Sequence, residues 1–79
     1  MAYKNNPLVG AYFGIERKGD NWYAFHVVDC VSPGYFIIEN MEFTATGEKV
    51  IQKSLWSAHD ISETGNLYSA KELVEMVGR

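Results

Sequence analysis

At 79 residues, 47% hydrophobic and 22% charged, the chain is long enough for one domain with a thin core, and too apolar to be disordered. Seven Lys and Arg against ten Asp and Glu leave a net charge of −3, which argues against a broad electrostatic hold on nucleic acid or anionic lipid. The single cysteine, Cys30, excludes an intramolecular disulfide and fits a reducing, cytoplasmic setting.

Met1 to Pro7 reads as a polar tail without the apolar core of a signal peptide. Leu8 to Arg17 reads as a strand; its apolar run is far short of the roughly 20 residues that span a bilayer, so no membrane partner is expected. Gly10 and Gly14 leave bare spots on one side of it, where a bulky neighbour such as Phe25 packs across or the strand bends. Lys18-Gly19-Asp20-Asn21 predicts a two-residue type II′ turn, with glycine at the first central position.

Asn21 to Val31 is rich in aromatic and β-branched residues and holds no Gly or Pro, as a central strand would. Alternation places Trp22, Ala24, His26, Val28 and Cys30 on one face and Tyr23, Phe25, Val27, Asp29 and Val31 on the other. Both faces are mostly apolar, so both need cover. Pairing Lys18 with Asn21 sets Arg17 opposite Trp22, Phe13 opposite His26 and Val9 opposite Cys30.

Ser32-Pro33-Gly34 ends that strand, and Tyr35 to Ala45 predicts the next. Thr46-Gly47-Glu48 reads as a hairpin loop with Gly47 left-handed, and Lys49 to Ser57 as the returning strand. In it Lys49, Ile51, Lys53 and Leu55 share one face, and Val50 and Trp56 the other. A helix over Lys49 to Ala58 competes loosely, but the preceding loop favours the strand. Residues 58–68 read as a polar connecting loop. Ser69 followed by Glu72 is a capping box, which predicts a helix over residues 69–78 with Ala70, Leu73, Val74 and Val77 on its inner stripe.

The expected fold is a single α+β domain over residues 1–79: a twisted antiparallel sheet of four to five strands built from two hairpins, with one C-terminal helix packed on one face. A small SH3-like or OB-like barrel plus helix is the alternative. The open sheet leaves one face uncovered, which points to a non-catalytic protein-binding module whose partner is another protein or a second copy of the chain. Arg17, Lys18, Trp22, Tyr23, Tyr35 and Trp56 are the candidate binding residues, because Trp, Tyr and Arg dominate binding hot spots.

Size, acidity and the lack of disulfides are those of accessory proteins with which phages and mobile elements inhibit host enzymes, an analogy of composition alone. The alternative function is single-stranded nucleic-acid binding, with aromatics stacking on bases and Arg17, Lys18, Lys49 and Lys53 tracking phosphates. Catalysis is not expected: His26 and Cys30 stand four residues apart, about 13 Å along a strand. No cofactor or metal is expected either, because His59, Asp60 and Glu63 lack recognisable ligand spacing.

Overall fold

The computed structural model describes residues 6–78. Strands β1 (Tyr12–Lys18), β2 (Asn21–Ser32), β3 (Tyr35–Thr44) and β4 (Gly47–Ser57) follow one another, then helix α1 (Ala58–Ser62), strand β5 (Leu67–Tyr68) and helix α2 (Ala70–Val77). The five strands form one antiparallel sheet in the order β4-β3-β2-β1-β5. Its edges, β4 and β5, do not meet, so this is an open α+β sheet and not a barrel.

The β1–β2 turn is the expected one. Gly19 has φ +63, no non-glycine residue among the described residues has positive φ, and Lys18 pairs with Asn21. Arg17 faces Trp22 and Glu16 faces Tyr23, but the register then slips. Gly14, at φ +59, opens a bulge that inserts one extra residue into β1, so Phe13 faces Phe25 and Tyr12 faces His26. The expected pairing of Phe13 with His26 is thereby corrected. The expected contact across Gly14 is present: a Cβ built there would lie 2.9 Å from Phe25 Cδ2.

β1 also begins later than residue 8. The Asn6 side chain accepts the Leu8 N–H at 2.9 Å, and the Ala11 N–H donates to the Leu8 carbonyl at 3.0 Å, winding residues 7–10 into turns. Leu8 and Val9 are thus freed from the ladder to pack on the core.

Further irregularities lie in β2 between Val27 and Asp29 and between Cys30 and Ser32, and one in β4 opposite Asn40 and Met41. They reassign faces, because an extra residue reverses the side on which every later side chain falls. Val27 and Cys30 come to share a face with Ile38 and Phe36, and Val50 joins Ile51 while Lys49 moves to the face of Trp56. The β3–β4 loop also differs: Thr44 pairs with Gly47, so Ala45 and Thr46 make the turn, and Gly47, at the expected positive φ of +148, begins β4.

Residues 58–68 are not a plain loop. Ser57 caps α1 by accepting the Asp60 N–H at 3.1 Å, and the Asp60 carboxylate accepts the Ser57 N–H in return, the same reciprocal box that Ser69 and Glu72 make at α2. α1 drops Ile61, 1% exposed, onto Phe13, Val27, Cys30, Phe36 and Ile38, with Leu8, Val9, Phe25, Trp56 and Ala58 around them. This is the main core, and it covers the sheet face expected to lie bare. On the opposite face Ala24, Met41 and Leu73 are buried, and α2 packs against β1 and β5.

Candidate functional site

α2 has eight residues and spans about 12 Å, too short to cover a five-stranded sheet. It packs on β1 and β5, its C-terminal end reaches Phe43 and Glu48 at one end of β3 and β4, and among the described residues no helix packs on the rest of the β3–β4 side of this face. Register places Tyr35, Ile37, Glu39, Met41 and Phe43 of β3 on this side, with Leu55, Lys53, Val50 and Glu48 of β4 opposite them. Leu55 is 60% exposed, Tyr35 50%, Ile51 49% and Val50 44%. These four line a strip down the two strands, interrupted by the Lys53–Glu39 ion pair at 3.4 Å.

At the α2 side the strip is bordered by a cleft lined by Tyr12, Phe43, Glu48, Leu73, Val74 and Val77. The helix stripe read from spacing is split here. Leu73 is 4% exposed and turned to the sheet, while Val74 is 66% exposed and flanks the cleft. On the floor the Tyr12 and His26 rings stack with centroids 4.2 Å apart. Burial pushes the His26 imidazole below 6.5, against the pull of Glu39 and Glu48, and burial together with the same carboxylates raises the Tyr12 phenol.

The candidate residues do not converge on one site. Arg17 and Trp22 lie on the α2 face near Phe43. Tyr23 lies on the α1 face, with Lys18 Nζ 5.6 Å from its ring centroid. There the Tyr23 hydroxyl donates to Glu42 at 2.8 Å, while Asn21 Nδ2 and Lys49 also reach that carboxylate. Trp56 is held in the main core edge-on to Phe13 at 5.3 Å, its Nε1 donating to Ser54 Oγ. Tyr35 alone of the six joins the bare strip. Val50, Ile51, Leu55 and Glu48 were outside the expected set because that set follows hot-spot residue type, and the bulge that brings Val50 and Glu48 to the face of Leu55 cannot be seen in an alternation pattern.

The basic residues form no track: Lys18 pairs with Glu16, Lys49 with Glu42 and Lys53 with Glu39, each at 3.4 Å, on both faces of the sheet. His59 pairs with Glu63 at 3.4 Å on the exposed side of α1. No helix among the described residues is long and apolar enough to cross a membrane. In comparisons with protein-family models, with curated proteins and with solved structures, nothing matches this chain.

The polar knot around Glu42 makes a pH prediction. The Tyr23 hydrogen bond, then Lys49 and Asn21, holds the Glu42 carboxyl below 4.5 despite some burial. A carboxyl depressed in the folded state stabilises it above the unfolded value, and that contribution is lost as pH falls through the folded one. His26, also depressed, contributes fully above 6.5 and loses its contribution as pH falls below it. Urea melts should therefore show stability declining in two stages, the first below 6.5 and the second below 4.5. Tyr23→Phe should bring the Glu42 carbon titration back toward 4.5. An unchanged titration would show that the hydroxyl does not hold the carboxylate.

Proposed function

We propose that this chain is a non-catalytic protein-binding module that docks its partner on the β3–β4 half of the α2 face. The exposure of Tyr35, Val50, Ile51 and Leu55 along one strip supports it most directly. Scattered exposed apolar residues are ordinary, but a strip of four on one half-covered sheet face, crossed by the Lys53–Glu39 ion pair, is the pattern of an interaction surface. The edge of β4 suits the task less well. Its bulge and its Lys49 and Lys53 are devices that keep strand edges from pairing, so the partner is met by the face and not by strand addition.

The partner is a second copy or another protein; inhibition of a host enzyme by a phage-type accessory protein is one form such docking takes. Leu55→Asp tests the reading, since a side chain 60% exposed contributes little to the core. The variant should melt within a few degrees of the wild type, shifting by no more than about 0.5 kcal/mol. Light scattering over a dilution series and affinity capture should then show a partner held by the wild type and lost by the variant. A chain that is monomeric throughout and retains the same proteins in both forms would overturn the proposal.

A further inference from the structure

We infer that the cleft between α2 and the bare β3–β4 strip seats an amphipathic helix of a partner protein, whose apolar stripe lies on Phe43, Val50 and Val74 and whose basic residue pairs with Glu48. This rests on the protein-binding reading above and names the chemistry of the partner.

Geometry selects a helix. Two strands side by side span about 10 Å, the distance at which neighbouring helices pack, so the strip leaves room for one helix beside α2 in the same layer. The cleft encloses about 240 Å³. That falls below the roughly 300 to 1,000 Å³ of small-molecule pockets and suits a few inserted side chains. Its wall is apolar where α2 presents the exposed Val74 and the half-buried Val77, and its floor is apolar at Tyr12 and Phe43.

Charge selects a basic residue. Glu39 is held by Lys53 and Glu42 by Lys49. Glu48 lines the cleft, is exposed, and has no cation within 4.0 Å among the described residues. Val77 and Gly78, at the C-terminal end of α2, border the same cleft, and the last turn of that helix holds no basic residue. The partial negative charge of a helix C-terminus therefore adds to that of Glu48. A second copy presenting its own α2 would bring Glu72 and Glu75 against one lysine, Lys71, which is the wrong sign.

The test uses two synthetic helical peptides with the same leucine stripe, one flanked by lysines and the other by glutamates, titrated into the full ¹⁵N-labelled chain. The lysine peptide should move the amides of Glu48, Val50, Val74 and Val77, leave the α1 face still, and bind about three- to fivefold more tightly than its acidic twin at low salt. Glu48→Gln, with an unchanged melting curve, should still bind and keep only the smaller part of that preference that the α2 C-terminus supplies. Equal binding of the two peptides to the wild type, or a preference undiminished in Glu48→Gln, overturns the charge assignment while leaving the docking face standing. No shift at the cleft with either peptide overturns the inference as a whole. Loss of the docking face itself would instead appear as no effect of Leu55→Asp on partner retention.

Discussion

Phe13→Ala should lower the unfolding free energy by about 3 to 5 kcal/mol, the range for removing a fully buried aromatic ring. Phe13 is 0% exposed, stacks on Phe25 at 5.2 Å and meets the Trp56 ring edge at 5.3 Å, so its loss opens a cavity between two rings that nothing else fills. A chain of 79 residues has roughly 4 to 12 kcal/mol of stability in all. The substitution therefore removes about a quarter or more of it, and at about 4 to 8 °C per kcal/mol the midpoint should fall by at least about 12 °C. Val74→Ala, at a position 66% exposed, should move it far less. A Phe13→Ala variant within about 1 kcal/mol of wild type in urea would show that the main core lies elsewhere.

The second large effect is a backbone one. Gly14→Ala places a side chain where φ is +59, at a cost of about 1 to 2 kcal/mol, and drives its Cβ to 2.9 Å from Phe25 Cδ2. The Phe25 ring cannot yield freely, because it contacts both Phe13 and Trp56. The total should exceed about 2 kcal/mol. Gly10→Ala separates the two causes: φ there is +98 but a Cβ meets nothing within 4 Å, so it bears strain without a clash. Gly14→Ala should cost more than Gly10→Ala in the wild type, and in a Phe25→Ala background its cost should shrink to the strain alone. Equal costs in both backgrounds would remove the clash from the account.

Both effects trace to the bulge at Gly14, which also shows where pattern reading stops. Element types were legible from local chemistry. The Gly19 turn, the uninterrupted run of Asn21 to Val31 and the Ser69–Glu72 box each specify a conformation through residues within a few positions of one another, and each is present. The second box, Ser57 with Asp60, is equally local, with aspartate where glutamate usually completes the motif. Reading it would have turned the supposed loop into α1 and supplied cover for the second face.

Which face a residue occupies was a different matter. Strict alternation sends Cys30 away from Val27 and Val50 away from Ile51, whereas the bulges in β2 and β4 unite each pair. A bulge leaves almost no local signal, since it is the partner strand's register that absorbs the extra residue. For the same reason the candidate residues dispersed. Trp56 looked like a surface anchor by type and is core by placement, while Leu55, outside the candidate set, is the most exposed residue of the bare strip.

Composition, turn glycines and helix caps thus set an antiparallel α+β domain with little helix, because those preferences act within a few residues of the chain, and only the strand order shows that its sheet stays open. The placement of α1 and α2 on opposite faces, and hence which half of one face is left for a partner, arises only when register shifts and helix docking are resolved together. Those depend on packing between residues far apart in the sequence, such as Ile61 on Phe13 and Leu73 on the other side of the sheet.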